Sequence, residues 1–222
     1  SLPTLGTVSR NENGYPIGYF FGYKAIGVFQ TQEEIDSYIS PATGKPIQPN
    51  AAPGDTKFED LNGDGVISDD NEDRTMIGKP NPDWMVGLTV AADWNGFDLS
   101  AFFQGSFGAD VFDALRRYEL AAVNYTSDAL ERWTGPGTSN SMPRIVLGDT
   151  PKNFRPSTLL VHDASFLRLR NLQVGYTLPA QLTRKAYIQR LRFYASFDNL
   201  LTITGYKGMD PEIGSTMGID KG

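Results

Sequence analysis

Three observations predict an all-β fold for this 222-residue chain. First, apolar residues alternate with small or polar ones over 84–94 and over 97–107, which is the period-two pattern of strands with one apolar face. Second, these two runs are joined by Asn95-Gly96, the strongest two-residue signal for a β-hairpin. Third, alternating runs recur at 165–177 and 190–204. The sequence therefore predicts four long antiparallel strands.

Aromatic residues mark both ends of the predicted hairpin. Trp84 and Trp94 bracket the apolar face of the first strand, and Phe97 and Phe107 bracket that of the second. Ten residues at a rise of ~3.3 Å, tilted by ~40°, span roughly 25 Å, the height of the apolar band of an outer-membrane barrel with an aromatic girdle at each edge. The hairpin alone leaves a second interpretation open, a soluble sandwich whose aromatics point inward.

The connections differ strongly in length. Short ones fall at 95–96 and about 179–187, whereas the long segments are 1–82, 108–163 and 205–222. With antiparallel strands, all the long segments lie at one end of the sheet. Outer-membrane barrels combine long extracellular loops with short periplasmic turns in this way. We therefore divide the chain into a loop region, 1–82, and a strand region, 83–222, that contains the loop 108–163.

Local signals refine this outline. Thr31 and Glu34 have capping-box spacing, which predicts a short helix over 32–38. Two more short helices are predicted at 110–122 and 127–133. In the third strand the apolar face switches parity near Arg170-Asn171, which one extra residue, a β-bulge, explains.

Composition excludes several classes of function. With no cysteine and one histidine, thiolate metal sites, cysteine nucleophiles and multi-histidine sites are excluded. A net charge of −6 argues against nucleic acid as a partner. His162, Asp163 and Ser165 are triad residue types, but they are adjacent and no G-x-S-x-G elbow exists. We expect no catalytic residue and no enzyme activity.

One loop has the pattern of a calcium site. Asp60, Asn62 and Asp64 supply oxygen at positions one, three and five, Gly65 allows the sharp turn, and Val66 offers its carbonyl. Asn71 stands at position twelve, where a closing carboxylate is expected, so Glu72 comes one residue late and Asp73 two residues late. We assign the closing carboxylate to Asp73, and Asp69 and Asp70 are nearby carboxylates that could substitute for it. The ion would have a structural role over 60–73. The alternative is an Asx-rich turn without an ion.

Three arginines lie opposite the apolar face of the predicted strands: Arg168, Arg170 and Arg192. In a barrel they point into the lumen, because arginine facing hydrocarbon is costly and arginine in a wet lumen is common. Salt bridges in the lumen are the favoured role. Contact with a plug or a substrate is the alternative.

Six stretches, in this order, resemble one family: PIGYFFGYKAIGVFQTQEEID (16–36), GDTKFEDLNGDGVI (54–67), DRTMIGKPNPDW (73–84), NGFDLSAFFQGSFGADVF (95–112), SFLRLRNLQVGYTLP (165–179) and LRFYASFDNLLTITGYKGMDPEIG (191–214). They are similar to the C-terminal barrel segment of SusC/RagA-type TonB-dependent outer-membrane transporters, typical of Bacteroidetes. The interval from Asp60 to Asp73 is longer than is usual in that family.

The resemblance implies part of a 22-stranded transmembrane β-barrel that imports oligosaccharides or peptides across the bacterial outer membrane. It implies a SusD-like surface lipoprotein as an extracellular lid, TonB as the source of energy, and membrane lipid against the apolar face. The plug domain and the last strand are expected to lie outside this chain.

A second hypothesis of another class is a soluble, calcium-stabilised β-sandwich for adhesion or glycan binding. The two hypotheses differ in what covers the apolar face. In a sandwich, Trp84, Val86, Leu88 and Phe103 are buried against a second sheet, whereas in a barrel they face lipid.

Overall fold

The computed structural model describes residues 8–114, 124–208, 210–212 and 219–220. The elements in chain order are β1 (Ser9–Arg10), β2 (Tyr19–Tyr23), β3 (Ala25–Val28), α1 (Gln32–Ser37), β4 (Thr56–Phe58), β5 (Arg74–Gly78), β6 (Trp84–Trp94), β7 (Phe97–Phe107), β8 (Asp110–Asp113), β9 (Val161–Asp163), β10 (Phe166–Thr177), α2 (Ala180–Thr183), β11 (Arg192–Thr204) and β12 (Ile219–Asp220). Short 3-10 turns lie at Ser127–Glu131, Leu147–Asp149, Thr158–Leu160 and Arg184–Ala186. Among these residues, no helix has both the length and the apolar character needed to cross a membrane.

The chain divides into two compact units, each assembled from separate stretches of sequence. The first, here called the strand unit, comes from 82–109 and 163–212. The second, here called the loop unit, comes from 1–81, 110–162 and 213–222. The two long predicted loops thus contribute to one unit, although the hairpin separates them in sequence.

The strand unit is a four-stranded antiparallel sheet in the order β11-β10-β7-β6. Its strands begin and end within two residues of the predicted positions. The hairpin turn places Asn95 at φ 49° and Gly96 at φ 86°. A type I′ turn needs positive φ at both central residues, which asparagine tolerates and glycine adopts without strain. The turn therefore fixes the register in which Trp94 pairs with Phe97.

The predicted bulge is present at Arg170. Leu169 pairs with Phe103 of β7 and Asn171 pairs with Phe102, so two steps on β10 face one step on β7. Arg170 is the extra residue, and it moves the apolar set of β10 from odd to even positions. The bulge keeps one face of the sheet apolar along the whole strand.

The loop unit is built from short strands and turns around aromatic side chains. Every residue of β2 is buried, so this strand is covered on both faces. One apolar cluster joins Val8 and Phe20 to Phe112 and Leu160, which come from sequence on the far side of the hairpin. Burial of these side chains is what holds the separate stretches of the unit together.

Two helix predictions need correction and one agrees with the structure. The segment 110–122 begins as strand β8, because Val111 and Phe112 are both buried and the Asp110 amide donates to the Lys79 carbonyl at 2.8 Å. The rest of that prediction, 115–123, lies outside the described residues. The helix predicted at 127–133 is a shorter 3-10 turn without a side-chain cap.

Helix α1 follows its capping prediction. Thr31 accepts a hydrogen bond from the Glu34 amide at 3.3 Å. The Glu34 carboxylate reaches back to the amide of Gln30 at 2.8 Å, one residue before the position that a standard capping box uses.

Candidate functional site

One face of the strand unit is a continuous apolar surface, here called the belt. Residues paired across an antiparallel sheet share a face, so the register assigns the belt row by row. Its rows are Val86, Gly105, Leu167 and Ile203; Leu88, Phe103, Leu169 and Leu201; Val90, Ala101, Leu172 and Phe197; Ala92, Leu99, Val174 and Ala195; Trp94, Phe97, Tyr176 and Phe193. No charged residue occurs in these rows.

Aromatic rings close both ends of the belt. Trp84 pairs with Phe107 at one end, and Trp94 pairs with Phe97 at the other. Phe97 also contacts the Tyr176 ring of the next strand, with centroids 4.4 Å apart. The two tryptophans are 73% and 74% exposed. The rings therefore form two exposed rows separated by the apolar part of the sheet.

The sandwich hypothesis fails at this face. It requires Trp84, Val86 and Leu88 to be buried, but Val86 is 50% exposed and Leu88 is 56% exposed. Within the described residues, the four long strands form one sheet of their own. Soluble proteins rarely expose an apolar surface of this extent, so the belt must meet a partner or a lipid phase.

The opposite face of the sheet carries the three predicted arginines, all in ion pairs. Arg168 donates to Asp210 at 2.7 Å and to Glu212 at 2.6 Å. Arg170 also pairs with Glu212 and donates to Gln104 at 2.8 Å. These contacts attach the segment after β11 to the polar face. Both arginines are thus engaged in salt bridges within the described residues.

The third arginine joins the edge strand β11 to the inner strand β7. Arg192 of β11 donates through Nε to Asp98 of β7 at 3.0 Å. The pair crosses over β10, which lies between β11 and β7, at the end of the sheet that carries the Asn95-Gly96 turn. Such bridges satisfy polar groups on one face while leaving the other face uniformly apolar.

The ion pairs on the polar face lower the pKa of the Asp210 carboxyl. Burial alone raises the pKa of the Asp210 carboxyl, but hydrogen bonds from Arg168 and from the Glu212 amide outweigh it and hold the pKa below its ordinary value. The carboxylate is therefore charged near neutral pH, as the ion pair with Arg168 requires.

The predicted calcium loop is closed by its own hydrogen bonds. The Asp60 carboxylate accepts from the amides of Gly63 and Gly65 at 2.8 and 2.9 Å. Asn62 Oδ1 accepts from the Asp64 amide at 3.0 Å, and Asp64 Oδ1 accepts from the Val66 amide at 2.8 Å. These bonds fold the three oxygen-bearing side chains over one short turn.

The Asp73 side chain is buried beneath the loop and accepts hydrogen bonds from two of its amides. It is fully buried, with one carboxylate oxygen accepting from the Leu61 amide at 3.2 Å and the other from the Ser68 amide at 2.8 Å. Glu72, not Asp73, reaches the first turn, where its carboxylate accepts from Asn62 Nδ2 at 3.1 Å. The described residues hold no cluster of three or more acidic or histidine side chains that fits a metal. Amide and carbonyl oxygens, which calcium also uses, leave the calcium prediction standing.

His162, Asp163 and Ser165 have local structural roles. Asp163 accepts a hydrogen bond from the Ser165 amide at 2.8 Å, and the Ser165 hydroxyl oxygen accepts from the Gly108 amide at 3.0 Å. The His162 ring lies 3.9 Å from the Asp113 carboxylate. This arrangement contains no nucleophile activated by a base.

A buried polar network in the loop unit has no local sequence signal. Arg144 donates twice to Asp55, at 2.6 and 3.1 Å, and Asn153 donates to the same carboxylate at 3.1 Å. Asn153 also accepts from the Thr56 amide at 2.9 Å. Hydrogen bonding with Asp55 raises the pKa of Arg144. The network ties together the two stretches of chain that the hairpin separates.

The chain is 35% identical over 202 residues to the TonB-dependent receptor P3 of Formosa agariphila, covering 90% of this chain and 19% of that protein. It is 29% identical over 215 residues to the TonB-dependent receptor SusC of Bacteroides thetaiotaomicron, covering 96% of this chain and 19% of that protein. No family model matches the sequence.

A solved structure agrees in fold. The structure of the RagAB peptide transporter superimposes with a TM-score of 0.69 at 27% identity, covering 96% of this chain and 22% of that chain. The chain therefore spans about one fifth of the length of the curated relatives it matches. By name these relatives are receptors and transporters rather than enzymes, and the resemblance found in the sequence is confirmed.

Proposed function

We propose that this chain, which belongs to the SusC/RagA-type TonB-dependent transporters, forms part of the barrel wall and surface loops of an outer-membrane importer. The names of its relatives, TonB-dependent receptors and a peptide transporter, support import as the activity. We further propose TonB as the source of energy and a SusD-like lipoprotein as the surface partner. The substrate is an oligosaccharide or a peptide.

The belt is the observation that carries the proposal. Its two aromatic rows lie ten residue steps apart along β6, from Trp84 to Trp94. At a rise of about 3.3 Å and a tilt of about 40°, this separation matches the roughly 25 Å apolar band of an outer-membrane barrel. In the barrel, the belt faces lipid and Arg168, Arg170 and Arg192 face the lumen. This arrangement removes apolar side chains from water and keeps charge out of hydrocarbon.

The connections support the same orientation. The chain enters β6 at Trp84 and leaves β7 at Phe107, and these two residues pair with each other. Phe166 and Thr204, at the start of β10 and the end of β11, are also paired, at the same end of the sheet. All stretches of the loop unit are therefore joined to the strands at one end. We assign this end to the cell surface and the Asn95-Gly96 turn to the periplasm.

Strands β6 and β11 lie at the two edges of the described sheet. Edges of 11 and 13 residues would expose rows of unpaired backbone groups. Inside a membrane such groups need partners, which only a closed barrel supplies. We propose that both edges pair with further strands of the same barrel.

We also propose that calcium is a structural ion of the 60–73 loop. Asp60, Asn62 and Asp64 would supply oxygen ligands, with Val66 adding its carbonyl. Asp73 shapes the loop through the amides of Leu61 and Ser68. The ion would stiffen a surface loop without taking part in transport chemistry.

The test of the barrel assignment compares two adjacent positions of β6. Leu88 lies in the belt near its midpoint, and Thr89 points to the opposite face. In the full-length transporter, Leu88→Lys should reduce the amount of assembled protein in the outer membrane, because lysine at the bilayer midplane costs about 2–4 kcal/mol. Thr89→Lys, the matched control, should assemble at the level of the unmodified protein.

The readout is fractionation of cells followed by gel migration with and without heating. An assembled barrel remains in the outer-membrane fraction and changes its migration on heating. Equal assembly of Leu88→Lys and Thr89→Lys would contradict the lipid-facing assignment of the belt. Recovery of the unmodified full-length protein in the soluble fraction would overturn the importer proposal itself.

A further inference from the structure

The loop unit contains a cavity of about 700 Å³ that no part of the proposed barrel role uses. Its walls come from residues within 43–51 and 65–67, from 150–152, and from Asp55 and Arg155. The volume lies within the range of small-molecule sites, roughly 300–1,000 Å³. All of its lining residues belong to one compact unit, so the cavity is a property of that unit alone.

The charged side chains at this cavity are mainly cationic. Lys45, Lys152 and Arg155 all line it. Within the described part of the chain, the Lys45 ammonium group makes no hydrogen bond or ion pair. Lys152 pairs with the exposed carboxylate of Asp69, and this contact lowers the pKa of Asp69.

Arg155 is held in place by aromatic rings. Its guanidinium carbon lies 4.7 Å from the centroid of the Tyr23 ring and 4.9 Å from that of Phe58. Its Nη1 atom is buried without a hydrogen-bond partner and lies 3.9 Å from Asp69. A cation fixed in this way attracts an anion without a further loss of side-chain freedom.

Asp55 is the one acidic residue among the described lining residues of the cavity, against three cationic ones. Asp55 lines the wall but is bound by Arg144 through two hydrogen bonds. Asp60 and Asp64 of the adjoining loop accept from amides of their own turn. The cavity therefore presents a surplus of positive charge.

Most of the uncharged lining residues are aliphatic. Ile47, Val66, Ile67 and several prolines form the apolar wall. None of the described lining residues is aromatic, so the cavity offers no ring on which a sugar could stack. Thr43, Asn50 and Thr150 add uncharged polar side chains. The Gln48 amide is bound within the chain, because it donates to the Thr56 carbonyl at 3.1 Å and accepts from the Phe58 amide at 2.8 Å. The lining fits an anion carried by an aliphatic body.

We propose that this cavity binds the carboxylate end of a short peptide with aliphatic side chains, with Lys45 as the principal cation. The inference rests on the proposed importer function and names a substrate class for it. The carboxylate meets the cationic side, and an aliphatic side chain of the peptide packs against Ile47, Val66 and Ile67. A peptide needs no aromatic platform, in contrast to a glycan.

The test measures binding by isothermal titration calorimetry to the full-length transporter in detergent. The probes are N-acetyl-Leu-Leu, its C-terminal amide, and digalacturonate. The acid should bind, and the amide should bind at least about tenfold more weakly because it lacks the charge-assisted contact. Lys45→Gln should weaken binding of the acid by about tenfold for the same reason.

Lys24→Gln is the matched control. Lys24 is another exposed lysine of the loop unit, but it pairs with Glu59 and does not line the cavity. It should bind N-acetyl-Leu-Leu like the unmodified protein. Neither substitution removes a backbone hydrogen bond, so both variants are expected to fold.

Three binding results would each overturn the proposal: equal binding of the acid and the amide, no binding of either, and binding of digalacturonate alone. Equal effects of Lys45→Gln and Lys24→Gln would also overturn it. These results are distinct from a failure of the importer proposal, which would place the unmodified protein in the soluble fraction. A protein assembled in the outer membrane without acid-over-amide preference refutes only the cavity assignment.

Discussion

Replacing Asp55 with alanine should loosen the loop unit at its buried polar network. The Asp55 carboxylate accepts hydrogen bonds from the Ala52 amide at 2.8 Å, from Arg144 at 2.6 and 3.1 Å, and from Asn153 at 3.1 Å. Asp55 and Asn153 are 2% and 1% exposed. Water therefore cannot replace the lost acceptor at Asn153 without opening the structure.

The magnitude follows from the burial of each partner. Removing one partner of a buried ion pair costs about 3–5 kcal/mol. The Arg144 side chain is 34% exposed, so solvent recovers part of its hydration and lowers the expected cost. We expect a loss of about 2–3 kcal/mol, which corresponds to about 30- to 160-fold in an opening equilibrium.

Hydrogen–deuterium exchange of the full-length protein measures this opening. The Thr56 amide, which donates to Asn153, should exchange about 30- to 160-fold faster in Asp55→Ala. Lys24→Gln is the control, because the Lys24–Glu59 pair is 51% and 37% exposed and such pairs contribute about 1 kcal/mol or less. Exchange at Thr56 within about threefold of the unmodified protein would refute a stabilising role for the network.

Three further perturbations test other parts of the structure. Gly22→Ala would place a Cβ atom in steric conflict with the Pro156 carbonyl oxygen, and overpacking of about 1–3 kcal/mol should lower the midpoint of thermal unfolding. Asp60→Ala should abolish calcium binding measured by calorimetry, and chelation should speed proteolysis within 60–73 of the unmodified protein. The contact between Asp210 and Arg168 lowers the pKa of the Asp210 carboxyl below its ordinary value of 3.8. The contact therefore contributes its full stabilisation at pH values above 3.8, and this stabilisation is lost as the pH falls through the lowered pKa. Amide exchange at 206–212, corrected for its intrinsic pH dependence, should therefore rise at acid pH.

Each of these expectations has a contradicting result. An unchanged unfolding midpoint in Gly22→Ala would mean that the backbone near Pro156 moves aside freely. Calcium binding that survives Asp60→Ala would exclude that carboxylate as a ligand. An acid transition in 206–212 that persists in Asp210→Asn would assign the titration to another group.

Local pattern determined the strands and the main turn. Alternation over 84–94 and 97–107, joined by Asn95-Gly96, predicts the observed hairpin to the residue, because strand periodicity and turn chemistry are both short-range properties. The parity change at Arg170 predicts the bulge for the same reason. The capping pattern at Thr31 likewise predicts the start of α1.

The segment 110–113 shows where local pattern fails. Its spacing of apolar residues suits a helix, but the structure makes it strand β8. Val111 and Phe112 are buried there, and Phe112 packs with Val8, Phe20 and Leu160. Packing against residues distant in sequence decided the conformation, since tertiary contacts outweigh a weak helical preference over four residues.

By itself, the sequence determined the all-β class, the four strand positions, the apolar belt with its aromatic ends, and the resemblance to a family of outer-membrane transporters. Only the tertiary structure decided that Asp55 meets Arg144, 89 residues away, and that Arg168 holds Glu212, 44 residues away. The same holds for the cavity, whose walls come from three stretches of chain. The alternation that forms a strand depends on residues adjacent in sequence. Ion pairs and cavities depend instead on which distant segments burial brings together.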